Sequence, residues 1–297
     1  MLNYSIAFFS LGLYQTKTAM KNILYLLVFT FSFIGIIATS SAQGLSGRVN
    51  YKTSASVKLW MDSTTTGPEV IAEFQKQLKK QMEREYTLSF TQSESNWKQI
   101  ESLGSGPATA SSGGAQIIFQ SDNSDGILYK NIGEQAYIEE KDLMGKGFLV
   151  QDSLRVYDWE LTGKTKKIGE YEVQEAKYSR IVDSKKFSMG MEEMELTKDT
   201  INVTAWFAPQ IPVSHGPADF WGLPGLILEL QNEGMTYIAD RIVLNPTDPV
   251  AIEVPKKGQK ISNEEYRALA DEKMKDMMKR YNGKPGDGNR MEIRINN

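Results

Sequence analysis

At 297 residues, with 34 basic and 37 acidic side chains, the chain carries a formal net charge of −3 and contains no cysteine. That absence rules out a disulfide frame, a thiolate nucleophile, a cysteine zinc site and a thiol for a lipid anchor. A mildly acidic chain without a basic block is a poor match for nucleic acid, whose backbone rewards clustered lysine and arginine.

The N-terminus reads as an address. Residues 23–37, ILYLLVFTFSFIGII, form an apolar core preceded by Met20 and Lys21 and followed by ATSSAQ. A positive start, a greasy middle and a small-residue exit are the order of a secretory signal. Cleavage is expected after Ala42, with Ser40 at the other small position, and the preceding MLNYSIAFFSLGLYQTKTA is read as an upstream start used in place of Met20. The competing reading, a transmembrane helix, needs roughly 20 apolar residues, more than this stretch supplies. Removing residues 1–42 takes away Lys17 and Lys21 and no acid, which moves the net charge from −3 to −5. The expectation is a leader over 1–42 and a single β-rich domain over 43–297. Its product is exported to the periplasm or the outer-membrane or extracellular side, has no membrane span once the signal is gone and needs no cofactor.

The first element of the domain is predicted at 68–86, PEVIAEFQKQLKKQMEREY, where Val70, Phe74, Leu78 and Met82 recur every four residues among charges and Pro68 suits a first helical turn. Segment 104–114, GSGPATASSGG, reads by composition as a flexible loop. From residue 87 the period changes to two, and ten strands follow: TLSFTQS, AQIIFQS, GILYKNI, QAYIEEK, GFLVQDSL, RVYDWEL, GEYEVQEAKYS, TINVTAWFA, LILELQ and MTYIADRIVL. Short links rich in Gly, Asn, Asp and Ser, such as SDNSDG, IGE, MGKG, TGKTKKIG and NEG, imply antiparallel neighbours, since a parallel crossover needs a dozen or more residues. Segment 182–200 is expected to form a protruding hairpin or loop. A second helix is predicted at about 264–281, opened by Ser262 with Glu265 three residues on, a reciprocal capping pair. A sheet this wide twists and curls. The predicted fold is therefore α+β, mostly β: a strongly curved antiparallel sheet, half-barrel-like, with two amphipathic helices packed on its apolar side.

One corner stands out. In FWGLPGLILEL, residues 220–230, Leu223 to Leu226 fit a type II turn with Pro224 at the second position and Gly225 at positive φ. Phe220, Trp221 and Leu223 before it, and Leu226, Ile227 and Leu228 after it, predict that the corner is buried. Just upstream, Pro209, Pro212 and Pro217 in WFAPQIPVSHGPADFW forbid a continuous central strand. With Trp206, Phe207, Phe220 and Trp221, the segment suits either a plug over the sheet or a recognition surface.

Gly222, Leu223, Pro224, Gly225, Leu226 and Ile227 spell GLPGLI. Together with WELTGKTKKIGEYEVQEA at 159–176 and AWFAPQIPVSHGPADFWGLPGLILEL at 205–230, they make the chain resemble the GLPGLI family. The resemblance implies an exported envelope protein of the kind found in Bacteroidota. It carries no assigned activity and therefore no catalytic positions. One departure is visible: Val173 stands where members often have cysteine.

Chemistry beyond that stays open. His215 is the single histidine, so a hydrolase would have to use it, with Ser214 adjacent and Asp219 nearby, yet no GxSxG elbow occurs and triad members meet through the fold. Met189, Met191 and Met194 offer thioethers suited to Cu(I), or simply gap-filling side chains. The leading expectation is a non-enzymatic protein that binds a lipid or other hydrophobic ligand, or an envelope protein, through Trp206, Phe207, His215, Asp219, Phe220 and Trp221.

Overall fold

The computed structural model describes residues 44–55, 83–100, 108–112, 115–119, 126–188, 195–281 and 292–296, together with Glu69, Ala72, Lys76, Lys79 and Lys80. The chain divides into two compact units, Met1–Gly44 and Leu45–Asn297; apart from Gly44, the first lies outside the described residues. So do Met189, Met191 and Met194, and the apolar stripe expected in the first helix.

In chain order the strands are β1 (Gly47–Ala55), β2 (Glu85–Phe90), β3 (Glu94–Gln99), β4 (Ala108–Ser112), β5 (Ala115–Phe119), β6 (Leu128–Asn131), β7 (Ala136–Leu143) and β8 (Lys146–Ser153). They continue with β9 (Glu160–Ile168), β10 (Tyr171–Ser188), β11 (Glu195–Ala208), β12 (Leu226–Asn232), β13 (Met235–Leu244) and β14 (Gln259–Ile261). Helix α1 (Asn263–Tyr281) and β15 (Glu292–Asn296) follow. Strands β4 and β5 pair with each other; the others form one 13-stranded sheet in the order β14-β8-β7-β6-β3-β2-β1-β13-β12-β11-β10-β15, with β9 also on β10. The sheet is open, with β14 at one side and β9 and β15 at the other.

Two antiparallel runs build this order, mostly from chain neighbours, as the short links require; the exception is β3 beside β6, with β4 and β5 between them in the chain but outside this sheet. They join where β1 runs antiparallel to β13, from Gly47 opposite Leu244 to Ala55 opposite Met235. The tight connections Met144–Gly145 and Glu233–Gly234 have both residues at positive φ, the twist that suits two-residue hairpins. β14 departs from the antiparallel expectation by pairing parallel to β8.

Several sequence boundaries shift. The stretch expected as a loop at 104–114 contains β4. RVYDWEL is irregular until Glu160, and β9 instead runs through the expected link TGKTKKIG. The hairpin around 182–200 is made by β10 and β11, with Lys186 opposite Glu195. Within the first predicted helix, the described positions Glu69, Ala72, Lys76, Lys79 and Lys80 are helical and exposed, and β2 takes over at Glu85. α1 opens on the expected cap: Ser262 donates from its backbone N and Oγ to Glu265 Oε2 at 2.9 and 2.8 Å, and the Glu265 backbone N donates to Ser262 Oγ at 3.2 Å. Tyr266 and Leu269 set α1 against Phe148 and Val150 of β8.

Two larger clusters hold the sheet. One gathers Val49, Tyr51, Leu88, Phe90 and Trp97 with Ile211, Val213, Leu226 and Leu228. The other gathers Tyr157, Ala176, Val203 and Phe207 with Phe220, Trp221, Leu223 and Ile227. Residues 211–227 thus supply side chains to both.

Candidate functional site

The proline-rich segment between β11 and β12 packs as a plug. Ile211, Val213, His215, Phe220, Trp221 and Leu223 are buried, while Pro212, Asp219, Gly222 and Pro224 face outward. Backbone bonds tie it down internally: Leu226 N donates to Ile211 O, Gly222 N to Ser214 O, and Ile227 N to His215 O. Its corner is not the type II turn expected. Positive φ falls on Gly222 (98°), and Gly225 does not have it. Gly225 is needed for a different reason: a Cβ there would lie 2.4 Å from Ala208 O and 2.9 Å from Pro209 N. The corner lies directly against the end of β11, where only a residue without a side chain fits. A bulge between Trp206 and Phe207 in the β11–β12 register accompanies the burial of Leu226, Ile227 and Leu228 in succession.

Polar side chains from distant strands hold the plug. Lys130 of β6 is fully buried, and its Nζ donates to the carbonyls of Gly216 (3.0 Å), Ala218 (2.5 Å) and Phe220 (3.2 Å). Three carbonyls match the three donors of an ammonium. Burial lowers the Lys130 pKa to about 7, opposed by the charge of Asp219. His215 is also fully buried and donates from Nε2 to Thr91 O at 3.0 Å; because that acceptor is a carbonyl, the proton belongs on Nε2. Burial first, and the Lys130 charge second, lower the His215 pKa to about 3, so the ring is neutral. Among the described residues its Nδ1 has no partner, and neither does Ser95 Oγ, on the residue paired with both Phe90 and Lys130.

Around these pins lies an aromatic rim. Tyr157 stacks on Trp159 at 5.5 Å, meets Tyr178 edge-on at 5.1 Å and lies 5.1 Å from Phe220. The two tryptophans cross-link the rim to the plug: Trp159 Nε1 donates to Trp221 O at 2.9 Å, and Trp221 Nε1 donates to Arg155 O at 2.7 Å. Tyr157 donates its hydroxyl to Asp219 Oδ2 at 2.6 Å, and burial followed by the Asp219 charge raises its pKa strongly.

The expected binding residues therefore separate. Phe207, His215, Phe220 and Trp221 are core; Asp219 is exposed on the rim. Trp206 is half-buried on β11 under Lys166, whose Nζ sits 4.2 Å from the ring and pairs with Glu229 at 2.5 Å. His215 and Asp219 do not share a hydrogen bond: one engages Thr91 and the other Tyr157. Sequence reading missed Lys130, Tyr51, Trp159 and Tyr178. In GILYKNI, Lys130 shares the alternation phase of Leu128, and a lysine on the apolar phase of a strand was the available signal. Among the described residues no group of three or more His, Asp or Glu side chains is placed to hold a metal ion. Nor is any described helix long and apolar enough to cross a membrane.

Residues 159–229 match the model of a family described as a protein of unknown function, Porph_ging. The match starts at Trp159 and ends at Glu229, so it takes in β9, β10, β11, the plug and the start of β12. No curated protein matches the chain. Among solved structures, PNGF-II in space group C2 is similar at 11% identity over 76% of this chain and 32% of that one, with a TM-score of 0.44. PNGF-II in space group P21 is similar at 10% identity over 76% and 33%, with a TM-score of 0.40. The chain spans about a third of the length of these structures.

Proposed function

We propose that this chain is an exported envelope protein that works by binding, without catalysis of its own, and that it binds a protein partner at the rim of the plug. The observation that carries the reading is the half-exposed pair Trp159 and Tyr178, whose rings lie 5.9 Å apart beside buried Tyr157 and Phe220. Large amphipathic rings anchored on a packed base are the side chains that dominate protein interfaces. Leu161 at 60% and Val156 at 66% exposure extend the apolar surface, and among the described residues β9 pairs with β10 alone.

The secretory pattern of residues 1–42 supports export, and the GLPGLI resemblance supports an envelope setting. On a sheet of this width, curling would lift the rim into reach. Burial of Phe207, Phe220, Trp221 and Ile227 against one another favours a partner over a ligand held inside. The enclosure of His215, with Nε2 committed to Thr91, weighs against a hydrolase centred on it.

The test is a photo-crosslinking amino acid placed at Tyr178, and in a separate variant at Ile238 on β13, in the native envelope. The expected result is one discrete protein adduct from position 178 and none from 238. An absence of adduct from 178, or equal adducts from both, overturns the reading.

A further inference from the structure

We infer that a protein partner adds a strand to the sheet at a six-residue opening in the edge of β10, Tyr178 to Asp183, lying extended between the end of β15 and the start of β9. The inference rests on the binding reading above and names the conformation in which the partner is held.

β11 covers one side of β10 from Gln174 to Lys186 without a break in register. The other side is shared: β9 pairs there up to Lys177, opposite Glu160, and β15 from Ser184, opposite Asn296. Among the described residues no strand lies between them on that side. Both flanking strands run antiparallel to β10, so an incoming strand of the same direction continues their line. Just before β9 the chain turns off this line, with Trp159 N–H bonded to Tyr157 O, and the rings of Tyr157 and Trp159 stand against Tyr178. The aromatic rim therefore walls one end of the opening.

Register decides which groups face it. The two-residue link Gly169–Glu170 closes the β9–β10 hairpin with Ile168 opposite Tyr171, a pair that exchanges both backbone bonds. Every second residue of β10 from Tyr171 thus turns its N–H and C=O to that side, and the series reaches Ser179, Ile181 and Asp183. A row of such groups is a template for another strand. A lipid tail has nothing to complete the ladder, and a helix has already spent its own backbone groups. Because β9 and β15 flank the opening on the same edge, they hold the β10 strands of two copies apart; a single extended segment enters where a second sheet edge does not.

Side chains narrow the segment's chemistry. Tyr178 and Val182 point to the core side, whereas Ser179 and Ile181 are exposed on the other face, Ile181 at 70%. On that face the charges at the ends are matched in register, Lys177 opposite Glu160 and Asp183 opposite Lys198, and the middle is uncharged. Edge strand β9, by contrast, carries Lys164, Lys166 and Lys167, charges that keep other strands off. The opening therefore suits an uncharged segment of β-branched residues with an aliphatic side chain opposite Ile181.

The experiment titrates the purified full chain with a blocked peptide of sequence TVTVTVT and with two N-methylated forms, one methylated at the valines and one at the threonines. Calorimetry gives affinity, and amide exchange is followed by NMR. The parent peptide should bind and, at about ten times its Kd, slow exchange of the Ser179 and Ile181 N–H about tenfold. A valine opposite Ile181 aims its N–H at β10, so methylation of the valines should abolish binding and methylation of the threonines should preserve it. Ile181→Pro removes an outward N–H at an edge, where proline is tolerated, and should also abolish binding. Ile181→Thr should weaken it about threefold, and Ile238→Thr on β13 should leave it unchanged. Melting curves verify that each variant folds, and the methylated peptides repeat the proline test on the unaltered protein. Failure of the parent peptide to bind, equal binding of the two methylated forms, or unchanged affinity in Ile181→Pro overturns the inference. So does a concentration-dependent dimer that the peptide dissociates, since a second copy would then fill the opening. A crosslink from Tyr178 in the envelope without peptide binding would sink this inference and leave the binding reading standing; peptide binding without a crosslink would do the reverse.

Discussion

Tyr51 and Ile227, 176 positions apart in the chain, are joined inside the protein: the Tyr51 hydroxyl donates to the Ile227 carbonyl at 2.6 Å. The bond ties the first strand of the sheet to the last residue of the GLPGLI sequence, and burial raises the Tyr51 pKa strongly, keeping the phenol protonated. Tyr51→Phe leaves the ring in place and strands a buried carbonyl. The expected cost is about 1 to 2 kcal/mol, read from urea unfolding. An unchanged midpoint would show that Ile227 O finds another donor.

Lys130 should matter more. Lys130→Met keeps most of the volume but removes all donors from the carbonyls of Gly216, Ala218 and Phe220. A destabilisation of at least about 3 kcal/mol is expected, the range for removing one partner of a buried charged network. Asp219→Asn is the control: it removes the nearby charge, keeps an acceptor for Tyr157 and lies on an exposed residue, so it should cost less than about 1 kcal/mol. If the two variants cost the same, the carbonyl cage does not hold the plug.

Two glycines of one motif should respond differently. Gly225→Ala places a Cβ 2.4 Å from a backbone oxygen of Ala208, and moving either means moving the end of β11; a cost of about 3 kcal/mol is expected. At Gly222 the φ of 98° strains any side chain, but the nearest obstacle is the Trp159 indole at 3.8 Å, so Gly222→Ala should cost about 1 to 2 kcal/mol. A larger loss at Gly222 than at Gly225 contradicts the close-approach argument.

These contrasts show what the chain order makes legible. The β12–β13 hairpin can be read from LILELQ, NEG and MTYIADRIVL because alternation and a two-residue turn are local properties, and α1 from Ser262 and Glu265 for the same reason. Burial of the corner was also legible, since apolar residues flank it on both sides. The reason for Gly225 was not: it depends on Ala208 lying across from it, a contact no turn pattern encodes. The β1–β13 pairing and the Lys130 cage join segments with no local link between them. RVYDWEL misled because its alternation reflects Tyr157 and Trp159 packing on the plug, and not the pairing of a strand.

His215 predicts a pH dependence. Its pKa is about 3 when folded, against an ordinary 6.5. Between those values the unfolded chain binds a proton that the native ring refuses, so stability is full above pH 6.5 and declines as pH falls. The slope is about 1.4 kcal/mol per pH unit. Between pH 6.5 and 5, where most carboxylates remain ionised, His215→Gln should flatten this decline. Parallel stability curves for the two proteins would mean that the ring titrates normally and is not enclosed.

Ser95 gives the opposite sign from the other variants. Its Oγ is buried with no partner among the described residues, on the strand residue opposite Lys130. An unsatisfied hydroxyl in the interior costs about 1 to 3 kcal/mol, and alanine removes it while leaving a space smaller than a methyl group. Ser95→Ala is therefore expected to be neutral or to stabilise by about 1 kcal/mol. His215, whose ring lies 5.8 Å from that of Phe90, the residue opposite Ser95, has an Nδ1 that is also without a partner among the described residues, which makes the pair informative. Should Ser95→Ala destabilise the protein by about 1 kcal/mol or more, the hydroxyl has a bonding partner in solution. A matching loss in His215→Phe, with no further loss in the double variant, would locate that partner between the two side chains.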